Sequence, residues 1–157
     1  MNSLLRRVAG GWQMSGVFSA ATGEPLLITE SSSAFASRPD YIGGEPTLGN
    51  ARDTLQYLNK AAFARVPIGG ASNSTLRPGN IGNGAVRGLG RWNMDFSLGK
   101  NLALTERFKI QIRGDMFNVF NHTNFAGVTT EIASGNFGRF TSTAGARIIQ
   151  LNARLSW

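Results

Sequence analysis

Four segments of the chain alternate apolar and polar residues with a period of two, which is the pattern of a β-strand whose two faces meet different surroundings. In the first segment, Trp12, Met14 and Phe18 share one face, and glutamine and serine lie between them on the other. Helical spacing fits none of the four segments well. We therefore predict strands near residues 11–21, 91–100, 107–118 and 147–157.

The connections between these predicted strands have very unequal lengths. Two long segments, near residues 22–90 and 121–146, are rich in Gly, Asn, Ser and Thr, whereas the second and third strands are joined only by the tight turn NLALTE. Connections longer than about 12–15 residues are uncommon in compact soluble domains, but outer-membrane barrels combine long extracellular loops with short periplasmic turns. The pattern favours an all-β fold, an antiparallel meander of transmembrane barrel strands.

Strand length, aromatic residues and charges agree with that interpretation. A strand that crosses a bilayer at a tilt needs about 9–11 residues, which three of the segments supply. Charged side chains should be confined to the face that lines a watery lumen. We expect two aromatic girdles, with one group near the periplasmic interface and a second near the outer one: Trp12, Phe108 and Trp157, then Trp92, Phe117 and Phe120.

The final strand carries apolar residues at every second position back from a terminal aromatic. This arrangement resembles the carboxy-terminal assembly signal of outer-membrane barrel proteins, although an ordinary amphipathic edge strand would show the same alternation. A last strand without a tail can pair its edge at once, first with the assembly machinery and then with the first strand of the barrel. The predicted signal residues are Ile149, Leu151, Ala153, Leu155 and Trp157.

Longer stretches identify a more specific resemblance. RGLGRWNMDFSLGKN together with DMFNVFNHTNF is the most distinctive combination, and GGWQMSGVFSAATGEP, YLNKAAFARVP and FGRFTSTAGARIIQLNARLSW add to it. These stretches resemble the C-terminal end of a TonB-dependent receptor barrel of the large Oar-like type. The terminal Trp157 departs from that family, where Phe is usual. The resemblance implies an outer-membrane receptor of a Gram-negative bacterium that takes up a large substrate, such as a metal chelate or an oligosaccharide.

The resemblance also implies partners and missing parts. Members of that family have a signal peptide, a plug domain and a barrel of about 22 strands, whereas this chain has four to six strands and begins MNSLLRRVAGG, which is too short and broken for a signal peptide. Because a closed barrel needs about eight strands, we expect the chain to be the C-terminal part of a longer protein. The implied partners are outer-membrane lipid, the barrel assembly machinery and, through a missing N-terminal region, the TonB energy-coupling complex.

The net charge of +7 raises the possibility of nucleic-acid binding, which the distribution of charge argues against. The sixteen Lys and Arg residues are scattered along the chain, whereas nucleic-acid binders concentrate basic residues on one helix or stripe with aromatic residues between them. We expect the strand cations to line a lumen or to pair with Asp95 and Asp115. No nucleic-acid partner is expected.

No catalytic, metal-binding or cofactor-binding constellation is predicted. The chain has one histidine, His122, and no cysteine, and we interpret His122 as a polar loop residue just above the membrane. The glycine-rich stretch GNIGNGAVRGLG does not fit the dinucleotide-binding spacing and is expected to be a flexible extracellular segment. Glu106 and Asp115 do not form an acid–base pair. Two alternatives to the receptor remain: a structural or adhesive barrel protein, and a soluble β-sandwich that binds a ligand.

Overall fold

The computed structural model describes residues 8–31, 38–69, 74–75 and 77–157. The chain divides into two compact units. The first, which we call the strand sheet, comprises Met1–Ala21, Trp92–Thr123 and Gly145–Trp157; the second, which we call the connection module, comprises Thr22–Arg91 and Asn124–Ala144. Residues 1–7, where no signal peptide is expected, lie outside the described residues. Within those residues, no helix is both long and apolar enough to cross a membrane.

Most of the regular structure consists of strands. A short helix, α1 (Ala51–Thr54), and a 3-10 turn (Lys60–Ala62) also occur. In chain order the strands are β1 (Trp12–Ala21), β2 (Pro25–Leu26), β3 (Asp40–Tyr41), β4 (Phe63–Ala64), β5 (Ile68–Gly69), β6 (Ser74–Thr75), β7 (Val86–Arg87), β8 (Arg91–Ala103), β9 (Lys109–Phe117), β10 (Phe125–Val128), β11 (Phe140–Thr143) and β12 (Ile148–Ser156).

The four long strands form one sheet in the order β1-β8-β9-β12. Strand β9 pairs antiparallel with both β8 and β12, so Gly114 lies opposite Leu98 on one side and Leu151 on the other. Each long strand therefore neighbours the long strand that precedes it, and the predicted all-β antiparallel meander is confirmed. The sheet is not closed, because β1 and β12 are its two edges.

One end of the sheet carries the short turn and the other carries both long connections. Strand β8 runs to Ala103, further than the predicted end near residue 100, because Asn101 and Ala103 still pair with β9. The chain reverses after that point, where the backbone N–H groups of Leu104 and Thr105 donate to the Phe108 carbonyl at 3.0 and 3.2 Å. We call this the turn end, and the opposite end, where residues 21, 91, 117 and 148 lie, the connection end.

The connection module has a hydrophobic core of its own, in contrast to the flexible segment expected at GNIGNGAVRGLG. In that stretch Ile81 and Val86 are each only 5% exposed, and β7 pairs with β2. The expectation was wrong because it rested on the glycine content of the stretch, whereas its two apolar residues, Ile81 and Val86, anchor it in the core. The other core residues come from both connections: Ile28, Ala51, Tyr57, Leu58, Ala62, Phe63, Ile132, Phe137 and Phe140.

Backbone contacts join the two connections at Gly138. Its carbonyl accepts hydrogen bonds from the N–H groups of Tyr57 and Leu58 at 2.7 and 3.1 Å. Gly138 has φ of +78°, and a Cβ atom there would lie 2.7 Å from the Leu58 carbonyl oxygen. Only glycine meets both demands. The Gln56 side chain completes the junction, donating to the Leu58 and Phe137 carbonyls at 2.8 and 2.9 Å.

Candidate functional site

The polar face of the strand sheet carries a hydrogen-bonded network centred on Asp115. Arg113 Nε donates to Asp115 Oδ1 at 2.8 Å, and the Ser97 hydroxyl donates to the same oxygen. Asn152 Nδ2 lies 3.4 Å from the other oxygen. Because these residues come from β8, β9 and β12, one carboxylate links three neighbouring strands across the polar face. The expected pairing of a strand cation with Asp115 is confirmed, whereas Ser97 and Asn152 were not predicted as members.

A second carboxylate, Asp95, organises the connection end. Its Oδ1 accepts hydrogen bonds from Asn93 Nδ2 at 2.7 Å and from the Asn118 backbone N–H at 2.9 Å. Asn118 has φ of +51°, a left-handed conformation that asparagine tolerates better than most residues. Its side-chain oxygen accepts from the His122 N–H at 2.9 Å, and its amide donates to the His122 carbonyl at 3.0 Å. Asp95 thus fixes the point where β9 ends.

The opposite face of the sheet is apolar, and aromatic rings gather at its connection end. The His122 ring stacks on Trp92 with centroids 4.1 Å apart, and Phe18 and Phe120 lie 6.1 and 5.9 Å from Trp92. His122 Nε2 is buried without a hydrogen-bond partner. The loop histidine is therefore part of an aromatic cluster. Phe117, predicted near the same interface, lies opposite Ile148 on the polar face.

Lys100 is an exception to the prediction that charges occupy one face. It lies opposite Ile112 on the apolar face, near the turn end. Its amine donates to the Val8 carbonyl at 2.7 Å and to the Gly10 carbonyl, and it lies 4.7 Å from the centre of the Trp12 ring. The prediction was wrong because a lysine amine can reach backbone carbonyls and an aromatic ring near an interface, where it costs little.

Four of the five predicted assembly-signal residues lie on the apolar face of the edge strand β12, and Trp157 follows the last residue of that strand. Ile149, Leu151, Ala153 and Leu155 lie opposite apolar-face positions of β9, and Leu151 and Trp157 are 80% and 86% exposed. Leu151 lies over Gly114 of β9, where the position of a Cβ atom would be 3.4 Å from a Leu151 methyl group, about an ordinary contact distance. The pattern forms a continuous uncovered strip, and its role as a signal remains a prediction.

The connection module contains two carboxylates held by arginines. Glu30 is 1% exposed; it accepts from Arg65 Nε at 2.9 Å and from the Val66 N–H at 3.0 Å. Asp40 receives two parallel hydrogen bonds from Arg77, at 2.8 and 2.6 Å. The Arg77 guanidinium holds the pKa of Asp40 below its usual value, despite the burial of this carboxylate, and the Asn80 N–H adds to this effect. Each ion pair joins two distant segments of the module, Glu30 to Arg65 and Asp40 to Arg77.

The described residues of the two units do not bring together the side chains that a metal site needs. Among the residues that the structure describes, no group of three or more His, Asp or Glu side chains could hold a metal ion. Asp115 is occupied by Arg113, Ser97 and Asn152, and Glu106 lies beyond the end of β8. The polar face is thus a surface of charged and hydrogen-bonding groups, which suits contact with water or with a polar solute.

Comparison with protein families identifies the chain. Residues 1–150 match the family described as outer membrane beta barrel domain. Comparisons with curated proteins and with solved structures each yield no match. The match spans nearly the whole chain and agrees with a sheet that has one polar and one apolar face. The chain belongs to the outer membrane beta barrel domain family, and its location is the outer membrane of a Gram-negative bacterium.

Proposed function

We propose that this chain forms the C-terminal part of the barrel of a TonB-dependent receptor, which takes up a large substrate such as a metal chelate or an oligosaccharide. The observation that carries the proposal is the connection module. Both long connections leave the sheet at the connection end, and they fold into one unit with a shared core. A passive pore needs no such structure, whereas a receptor needs a preorganised surface outside the barrel, because ordering mobile loops on binding costs affinity.

The mechanism follows from the resemblance. Substrate would bind to the outer connections, and energy from the inner-membrane TonB complex would then rearrange a plug domain upstream of this chain. The contribution of this chain would be barrel wall, outer binding surface and assembly signal. We propose no enzymatic activity, since the carboxylates of the polar face are engaged with neighbouring side chains.

A structural or adhesive barrel protein is the alternative function. It would use the same sheet and an ordered outer module without moving a solute. The soluble β-sandwich is excluded by the family assignment. The two remaining functions differ in one respect, because only the receptor consumes energy from the inner membrane.

Energy-dependent uptake tests the proposal. Cells that produce the full-length protein, and matched cells that lack it, are given a radiolabelled ferric chelate or a labelled oligosaccharide, with and without a protonophore. We expect uptake that requires both the protein and the proton-motive force. If no solute is taken up faster by the strain that has the protein, or if the uptake continues in the presence of the protonophore, the structural alternative would be favoured.

We also propose that the apolar strip of β12 is the signal read by the assembly machinery. Trp157→Ala should reduce the amount of folded protein in the outer membrane, measured as the fraction whose electrophoretic migration shifts on heating. Ile148→Ala is the matched control, because Ile148 lies on the polar face of the same strand. Equal heat-shifting fractions in the two variants and the wild type would contradict the proposal.

A further inference from the structure

The polar face has a second feature at its turn end, away from the Asp115 network. Gln111 lies opposite Asn101 of β8 on one side and Arg154 of β12 on the other, and Lys109 lies opposite Ser156. Lys109 and Arg154 are therefore diagonal neighbours, a relation that brings Cβ atoms within about 7–8 Å. All five residues line one depression of about 360 Å³, together with Leu102, Ala103 and Ile110.

The two cations of this depression, Lys109 and Arg154, form no ion pair with another described residue. Of the acidic residues on the same face, Asp95 lies at the connection end. Asp115 is six residues along β9 from Lys109, which corresponds to roughly 20 Å, and it is already paired with Arg113. Glu106 lines a neighbouring depression with Gly10 and Gly11.

The chemistry of the lining groups selects a class of ligand. A guanidinium presents five N–H donors and an ammonium three, and the amides of Asn101 and Gln111 add two donors each. Planar guanidinium groups match carboxylate and phosphate oxygens in pairs. Two adjacent cations repel one another until an anion lies between them. The depression therefore has many donors, excess positive charge and room for a small solute.

We propose that the depression formed by Asn101, Lys109, Gln111, Arg154 and Ser156 binds a multiply charged oxyanion, of the phosphate or polycarboxylate class. Arg154 would contact two oxygens of the anion and Lys109 a third, while the amides complete its hydrogen bonds. The site depends only on the face that these residues share, and it requires neither a plug domain nor energy coupling. It would place an anion-binding position at the periplasmic end of the lumen wall.

Calorimetric titration of the detergent-purified full-length protein tests this proposal, with inorganic phosphate and with citrate as separate probes at constant ionic strength. We expect saturable binding of at least one probe. The double variant Lys109→Gln/Arg154→Gln should weaken that binding at least about tenfold, which corresponds to about 1.4 kcal/mol. The single variant Lys109→Arg, in which Arg154 is intact, should keep most of the wild-type affinity, because it keeps the positive charge at residue 109.

Arg139→Gln is a charge control, since it removes a positive charge from an exposed position of the connection module, away from the depression. It should bind as the wild type does. The heat-induced migration shift confirms that each variant is folded before titration. Failure of the folded wild type to bind either probe would overturn the proposal. Equal binding by the wild type and the folded double variant would also overturn it.

Discussion

The strand sheet exposes its large apolar side chains, whereas the connection module buries most of its own. Every buried hydrophobic residue of the described chain belongs to the module, and Leu58, at 0% exposure, is its most enclosed side chain. Large exposed hydrophobic residues belong mainly to the sheet, where Met14 is 73% and Leu151 80% exposed. Contiguous apolar surface of this kind is rare on soluble proteins. The two units are therefore built for different solvents, lipid for one and water for the other.

Their polar groups differ in a corresponding way. The sheet keeps Asp95, Asp115 and Arg113 on one face, where strand pairing alone places Asp115 opposite Ser97. The module buries Glu30 and Asp40 and compensates each with an arginine and a backbone N–H. Compensation of a buried charge requires a tertiary partner, whereas a charge on a wet face does not. Substitutions should therefore have consequences that depend on the unit and on the face.

The largest expected effect is on the core of the module. Leu58→Ala removes a fully buried side chain, which should lower the free energy of unfolding of the module by about 2–5 kcal/mol. Hydrogen-exchange mass spectrometry of peptides that cover residues 51–63 measures the change. Leu151→Ala is the control, because it removes the same side chain from the exposed face of the sheet. Unchanged exchange in the Leu58 variant would mean that the module does not depend on this core.

A somewhat smaller effect should separate the two faces of β12. Leu151→Arg places a charge on the apolar face midway along the strand, and lipid-facing arginine costs about 2–4 kcal/mol at the bilayer midplane. Asn152→Arg places the same charge one residue further, on the polar face, and should cost much less. The temperature of the heat-induced migration shift compares the two. A similar loss in both variants would contradict the assignment of faces.

The smallest effect concerns the acid response of the module. The pKa of Asp40 is lowered by Arg77, so the ionised carboxylate stabilises the folded state. This stabilisation is complete above the unfolded-state pKa of about 3.9 and is lost as pH falls through the lower folded-state value.

Asp40→Asn should therefore lower the stability of the module by on the order of 1 kcal/mol at neutral pH. The difference in stability from the wild type should shrink as the pH falls from about 3.9 through the lower folded-state pKa of Asp40, because the wild-type carboxylate then becomes protonated. Hydrogen exchange of variant and wild type at the same pH measures the difference, with the exposed Asp53→Asn as control. A difference that does not change with pH would show that the ion pair is not its source.

The features of the fold that depend on residues close together in the sequence could be predicted, whereas those that depend on contacts between distant segments could not. Period-two alternation depends on neighbouring residues only, so it located the segments that form β1, β8, β9 and β12 and assigned most of their side chains to a face. Lys100 has the same parity as Trp92 and Leu98, so the alternation itself places this cation on the apolar face, against the expectation that charged side chains are confined to the polar one.

The sequence by itself determined the four long strands and their two unlike faces, since one polar and one apolar residue per repeat is enough to specify both. Only the tertiary structure showed that the long connections form a module. Its contacts join residues far apart in the chain, such as Gln56 with Phe137 and Thr29 with Glu131. No local sequence pattern predicts these contacts. Local alternation specifies a strand, but a core assembled from distant segments is decided by packing alone.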